Sequence, residues 1–354
     1  MQHPSLSINL RIIEDNTRKL VSLCCNKGVI PVGVSRLMEG AEPIARAMML
    51  GGIQAIGDTQ INNLQKLADL PIRKMLLRRP LLSEVEDVVH HADISVHSER
   101  ETLEALSWAA VKANKCHEVI IAHDLDDQQQ DGGDDSETEN LAELVLTLPG
   151  LTFGGIGCRL ACFSEVESMT DSDELQLQLE EPTGWSNSPA SEKLSGAGVA
   201  GIVLMVPRNG TPRINQLRLG RSSILGIGLN DASVPDTPQS AMSLHAEIVE
   251  IKEKSSVYAY SVFSSRCNDE LQFNDRGIRL RALCAIGKHS VDINLLAPTD
   301  KGVIIIGATS DYLILDITDA DNRYQVGESL SFYLSYHGVL QCMASESVAT
   351  QYHF

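Results

Sequence analysis

From Val29 onward, short apolar runs alternate with amphipathic helical stretches, and this rhythm limits the fold more than any other property of the chain. The runs are Val29–Arg36, Ile53–Gly57, Lys74–Arg78, Ile94–His97, Val119–His123, Phe153–Gly157, Lys193–Gly196 and Asn215–Gly220. Each has the length of a strand buried on both faces. The stretches between them, among them Glu42–Leu50, Thr59–Leu70, Ser83–His91 and Ser98–Asn114, carry apolar residues at helical spacing. Repeated strand–helix units imply a parallel sheet, and eight of them in about 225 residues is the size of a closed (β/α)8 TIM barrel. Ser83 with Glu86, and Ser98 with Glu101, have the spacing of capping boxes at two helix starts.

Ahead of the barrel, Leu6, Ile8 and Leu10 alternate with polar neighbours, which predicts a strand. A helix from Glu14 to about Asn26 follows, stopped by Gly28. The barrel domain is expected over 1–235. Asn230–Ser240, with Pro235 and Pro238, reads as a linker into a mainly-β domain over 236–354, where Leu244–Ile251, Arg281–Ile286, Gly302–Ile306, Tyr312–Ile317 and Ser329–Leu334 alternate and few helical patterns occur. Such a domain has edges to protect, so another subunit is expected to cover part of it. Asp126–Asp135 is of low complexity and lacks the spacing of a calcium loop, and Ser164–Ser191 is a long polar loop.

The formal net charge of −18 argues against nucleic acid or an anionic membrane as partner, because either demands a basic face. No apolar run approaches the roughly 20 residues that span a bilayer, and no leader pattern opens the chain, so the cytoplasm is the expected compartment. The eight cysteines make no C-x-x-C pair. Cys158 and Cys162 are four apart, yet reduced thiols and no metal site are the simpler expectation.

Pro31-Val32-Gly33-Val34-Ser35 at the first barrel strand, Lys74-Met75-Leu76-Leu77-Arg78, Leu82-Ser83-Glu84-Val85-Glu86, Ala92-Asp93-Ile94-Ser95-Val96, Asp275-Arg276-Gly277-Ile278-Arg279, Gly307-Ala308-Thr309-Ser310-Asp311 and Leu313-Ile314-Leu315-Asp316 together resemble the ornithine and alanine racemase family, in order and across nearly the whole chain. The resemblance implies a barrel followed by a β domain, and a homodimer whose β domains complete each other's active sites. It also implies pyridoxal phosphate held as a Schiff base on a lysine at the end of the first strand. Arg218-Leu219-Gly220 is similar to the family's Arg-x-Gly, where the arginine faces the cofactor ring and the glycine backbone meets the phosphate, with Arg221 beside it. Ser310-Asp311 and Tyr336 resemble segments of the β domain that serve the active site.

Three positions depart from that pattern. Arg36 stands where the Schiff-base lysine is expected, and a guanidinium neither condenses with an aldehyde nor gives up its proton near neutral pH. Ser195-Gly196-Ala197-Gly198 resembles the family's Ser-Gly-Gly-Asn with the amide lost, and glutamine stands near Asp127 where an arginine is usual. The expectation is a non-catalytic or repurposed homologue with no covalently bound cofactor. It would bind a small anionic or amino-acid-like ligand, as a homodimer or paired with an intact relative. The alternative is an active racemase that uses pyridoxal phosphate with another base, for which Lys288, His97, His123 and His289 are candidates. A further possibility is an anion pocket made by Arg36, Arg78, Arg159 and Arg218, unless these pair with acids such as Asp58.

Overall fold

The computed structural model describes residues 4–26, 28–123, 135–158, 194–197, 216–228, 233–234, 236–256 and 276–354. The expectations for Asp126–Asp135 and Ser164–Ser191 fall almost wholly outside that range, as do those for Cys162, Arg159 and Gly198. The chain divides into two compact units, Leu10–Gln239 and a second made of Met1–Asn9 with Ser240–Phe354.

β1 (Ser5–Asn9) leads directly into α1 (Leu10–Cys25), four residues earlier than the sequence pattern suggests. In the first unit β2 (Ile30–Val34), β3 (Ala55–Asp58), β4 (Arg73–Leu76), β5 (Ile94–His97), β6 (His117–His123), β7 (Leu151–Cys158), β8 (Leu194–Ala197) and β9 (Gln216–Leu219) form a closed barrel. Every pair is parallel, and β9 closes on β2 with Val32 opposite Arg218 and Gly33 opposite Leu219. Helices α2 (Glu42–Leu50), α3 (Ile61–Lys66), α4 (Val85–His91), α5 (Arg100–Lys112) and α6 (Asp135–Thr147) lie between the strands in sequence, and α7 (Arg221–Leu225) follows β9.

Strand alternation sorts the apolar side chains into two cores. Val32, Met75, Ile94, Val96 and Ile120, contributed by four strands, pack together inside the barrel. Val119 and Ile121, the neighbours of Ile120, point the other way and join Leu64, Leu76, Val88, Leu103, Leu106 and Val145 between wall and helices. Fully burying each such side chain contributes about 1.5–3 kcal/mol before the entropy of ordering it is subtracted. The two expected capping boxes do not form, because both helical segments start at other residues. Glu84 Oε2 accepts from Leu81 N at 3.1 Å while Glu86 pairs with Lys112, and Ser98 Oγ accepts from Arg79 Nε at 2.7 Å while Glu99 takes the cap position of α5.

The second unit holds β10 (Met242–Ser255), β11 (Ile278–Cys284), β12 (Leu296–Pro298), β13 (Ile304–Ala308), β14 (Leu313–Asp316), β15 (Ser329–Leu334), α8 (Tyr336–Ala344) and β16 (Ala349–His353). Its sheet runs β12-β15-β10-β11-β14-β13. β1 joins this sheet, antiparallel to β10 and parallel to β16. A first domain of 1–235 is therefore corrected at both ends: residues 1–9 belong to the sheet unit, and the division falls at Gln239 and Ser240. The reason is burial, since Leu6 and Ile8 are fully covered and need strands on both sides to satisfy their backbone. Among the described residues, no helix is long and apolar enough to cross a membrane.

Candidate active site at the carboxyl ends of the barrel strands

In barrels of this type, chemistry sits where the strands end, and β2 ends in a tightly built turn. Ser35 N donates to Gly57 O at 2.9 Å, and Ser35 Oγ donates to Asp58 Oδ2. Asp58 is fully buried at the end of β3, where it also accepts from Gln60 N at 2.8 Å and from Asn63 Nδ2 at 3.3 Å. Met38 N and Gly40 N return to Ser35 O at 3.0 and 3.4 Å, folding Arg36–Met38 into one 3-10 turn. Gly40 has φ +69°, and a Cβ there would lie 2.8 Å from Asn63 O, so the turn admits only glycine at that point. Lys66 Nζ fastens the outer side, donating to Glu39 O at 2.7 Å and to Asn63 Oδ1 at 3.1 Å.

Arg36 opens this turn with its side chain exposed. Among the described residues its guanidinium has no hydrogen-bond or ion-pair partner. Asp58, a potential counter-ion on sequence grounds, is instead taken up by Ser35, Gln60 and Asn63.

The neighbouring strand supplies a second cation. Arg218 on β9 is half-buried beside Val32, and its Nη2 lies 3.7 Å from where a Cβ on Gly157 would stand, so it reaches across the barrel interior over a position without a side chain. Gly220 caps α7 and packs beside Val34, with 3.4 Å between its would-be Cβ and the Cβ of Val34. Its carbonyl accepts from Ser223 N and Ile224 N, and Arg221 Nη1 reaches Gly228 O at 3.4 Å. Two fully buried hydroxyls on α7, Ser222 Oγ and Ser223 Oγ, have no hydrogen-bond partner among the described residues. Arg36, Arg218 and the Gly220–Arg221 turn thus occupy adjacent strand ends.

Other expected pocket residues are placed elsewhere or otherwise engaged. Arg78 is tied to structure, donating to Thr59 O at 2.7 Å, Arg79 O at 3.1 Å and Glu84 Oε1 at 2.8 Å. His97 is a correction: Ile94 and Val96 face inward, so His97 and Ser95 face outward, fully buried. Ser95 Oγ lies 2.8 Å from both His97 Nε2 and His117 Nε2, and His97 Nδ1 lies 3.2 Å from Thr102 Oγ1 on α5. Burial holds both rings neutral, with the His97 pKa lowered to about 3 and that of His117 to about 4, in each case chiefly by desolvation. His123 ends β6, and Ser195 and Gly196 lie in β8, their side chains outside the described set.

In the sheet unit, Asp311 is exposed in the turn between β13 and β14. That turn closes on the Gly287–His289 segment, where Lys288 N donates to Thr309 O and His289 N to Ser310 O, both at 3.0 Å. Tyr336 opens α8 behind the Ser335 cap, its ring edge-on to His337 at 5.3 Å. Sequence reasoning missed the Ser35–Asp58–Asn63 network and the Ser95–His117 link. In both cases a serine two residues or fewer from a candidate site residue was the available signal.

The described lysines of the barrel unit are all committed. Lys19 donates to Asp236 O, Lys66 to the turn above, Lys74 to Leu70 O and Ile72 O beside the start of β4, Lys112 to Glu86 and Lys115 to Val89 O and His90 O. Lys27 and Lys193 lie outside the described residues. No group of three or more His, Cys, Asp or Glu side chains among the described residues is arranged to hold a metal ion.

A parallel barrel with cations gathered at its strand ends, joined to a sheet unit, defines an α/β protein of the racemase type. Residues 8–222 match the family described as alanine racemase, N-terminal domain, and the chain belongs to that family. It is 33% identical to an ornithine racemase of Acetoanaerobium sticklandii, over 98% of both chains, and 29% identical to a lysine racemase of Thermotoga maritima, over 99% of both. Its fold matches alanine racemase from Bartonella henselae, a structure with covalently bound pyridoxal phosphate, at a TM-score of 0.71 and 18% identity over 99% of each chain. The family is dependent on pyridoxal phosphate.

Proposed function

We propose that this chain is a racemase-family protein whose barrel binds a small anionic, amino-acid-like ligand through charge alone, without the covalent step of its pyridoxal-phosphate-dependent relatives. The observation that carries the reading is Arg36, a guanidinium with no partner among the described residues, on a hydrogen-bonded turn at the end of β2. Covalent capture of an aldehyde requires a primary amine that can lose its proton, and arginine does not supply one. Among the described residues, each barrel lysine is bound elsewhere, so they do not fit a covalently held pyridoxal phosphate, and no step is routed through that group. They do fit a phosphate or carboxylate. Arg36 offers a planar donor fork, and Arg218 and the Gly220–Arg221 turn lie at the adjacent strand end.

A charge-assisted hydrogen bond contributes about 1.5–3 kcal/mol, so Arg36→Met is expected to weaken binding of inorganic phosphate or pyridoxal phosphate by roughly 10- to 100-fold in calorimetric titration. Unchanged affinity refutes the reading. So does a Schiff-base absorbance band in the parent protein that borohydride removes. A cytoplasmic homodimer, or pairing with an intact relative, belongs to the same proposal and is checked by light scattering of the protein alone and mixed with that relative.

The second reading is racemisation of an amino acid such as ornithine or lysine. Full-length similarity to an ornithine racemase and a lysine racemase favours it over loss of activity. It needs another base, and His97 is unsuited because it is buried neutral on the outer wall. Solvent deuterium entering the α-carbon of ornithine, lysine or alanine would establish this reading in place of the first.

A further inference from the structure

A polar chain runs through the otherwise apolar layer between the barrel wall and α5. Ser95 and His97 on β5 and His117 on β6 are buried, in a layer whose apolar cluster includes Leu103, Leu106 and Val119. Hydrogen bonds in such a layer select one arrangement of the elements that carry them, because each bond has a direction that apolar contact lacks. Here the direction can be read from one end to the other.

The end on α5 decides it. Thr102 Oγ1 donates its single proton to Glu99 O at 2.9 Å, so toward His97 Nδ1, 3.2 Å away, it only accepts. Burial keeps both rings neutral, so each carries one ring proton. The proton of His97 is then on Nδ1, and its Nε2 is a bare acceptor. Ser95 Oγ, 2.8 Å from that Nε2, donates to it. With its one proton committed there, Ser95 Oγ accepts from His117 Nε2, also at 2.8 Å. The two rings therefore hold opposite tautomers, Nδ1–H in His97 and Nε2–H in His117. The chain ends on a backbone carbonyl, which takes up no proton, so it holds the fold in place and conducts nothing.

Its far end lies at the carboxyl ends of the strands. Glu99 O also accepts from Leu103 N at 3.2 Å, the first bond of α5, and the adjacent Ser98 Oγ accepts from Arg79 Nε at 2.7 Å. Arg78 donates to Arg79 O and to Thr59 O, so the segments that follow β3, β4 and β5 are tied in a row. We infer that His117, Ser95, His97 and Thr102 form a latch of one fixed direction, running from β6 through β5 to Glu99 O, that sets the position of the first turn of α5 and with it this part of the barrel mouth.

The test begins with the full-length protein carrying isotopically labelled histidine nitrogens, read at neutral pH by long-range proton–nitrogen correlation. The signals are assigned with His97→Gln and, independently, through the contact of the His97 ring with the Thr102 methyl group. The expected result is a single tautomer in each ring, protonated at Nδ1 in His97 and at Nε2 in His117. Hydrogen exchange then compares the parent with Thr102→Val, which keeps the shape of the side chain and removes its hydroxyl. The Leu103 amide is expected to exchange roughly 2- to 10-fold faster in the variant. The Ala113 amide at the other end of α5, bonded to Ala109 O at 2.9 Å, keeps the parent rate. Reversed tautomers, or rings that average between the two forms, overturn the inference. So does a folded Thr102→Val in which Leu103 exchanges as it does in the parent.

Discussion

Asp58 is the residue whose removal most directly tests how the β2 turn is held. It is a fully buried carboxylate that receives Ser35 Oγ, Gln60 N and Asn63 Nδ2. In Asp58→Ala these donors lose their acceptor, though Ser35 Oγ retains Gly57 O at 3.3 Å. Each buried donor left without a partner costs about 1–3 kcal/mol. With Ser35 partly compensated, two uncompensated donors and the small cavity left by the carboxylate give about 3–5 kcal/mol. In a unit of this size 1 kcal/mol shifts the midpoint by about 2–4 °C, so the expected loss is about 6–20 °C. Trp108 lies on α5 within Leu10–Gln239, so its fluorescence reports the barrel unit. Asp58→Asn retains one acceptor oxygen but sets an amide against the amide of Asn63, and should fall between parent and Asp58→Ala. A loss below about 1 kcal/mol in Asp58→Ala, from urea unfolding followed at Trp108, would show that water replaces the carboxylate and that the turn needs no buried anchor.

The paired histidines give a pH dependence of definite sign. His97 and His117 have folded pKa values of about 3 and about 4, below the ordinary value near 6.5, so the unfolded chain takes up protons first as pH falls. Their contribution is complete above about pH 6.5 and declines from there down toward pH 4, and His97→Gln should flatten the fall in urea midpoint over that window. Arg78→Met should lower barrel stability by about 1–2 kcal/mol, since Thr59 O and Glu84 lose a charged donor. The same variant should leave phosphate affinity unchanged in calorimetry, because that guanidinium is already committed.

The barrel strands were legible because each is an apolar run with turn residues at its ends, a pattern that local sequence carries. The sheet that β1 joins was not. Leu6 and Ile8 announce a strand, yet its partners are β10 and β16, more than 200 residues along the chain, and alternation says nothing about which distant strand completes a pair. Helix starts slipped by a few residues for a similar reason: a serine followed three residues later by glutamate marks a cap only if the helix begins just after it, whereas Ser83 lies inside the Leu82–Glu84 3-10 turn and Glu99, not Ser98, precedes α5. His97 shows the limit set by strands buried on both faces. When Ile94, Ser95, Val96 and His97 are all covered, hydrophobic period no longer tells inside from outside, and the inward cluster of Ile94 and Val96 settles it.

At the strand ends, residue type and structure divide the argument between them. That position 36 carries a permanent charge and no nucleophile follows from its identity alone. Whether the charge is available depends on what surrounds it. Four arginines were candidates for one pocket, and a row of letters gives no way to rank them. Arg78 is held by two carbonyls and Glu84, and Arg159 lies outside the described residues. Arg218 is half-buried in the interior, and Arg36 stands exposed on a turn whose hydrogen bonds do not involve its guanidinium. Asp58, at the end of the neighbouring strand, is enclosed by Ser35, Gln60 and Asn63, so among the described residues it leaves the charge of Arg36 unpaired. On the proposed reading, a cation without a partner among the described residues is open to an anion from solution, and an added ligand is expected to be recognised by its negative charge.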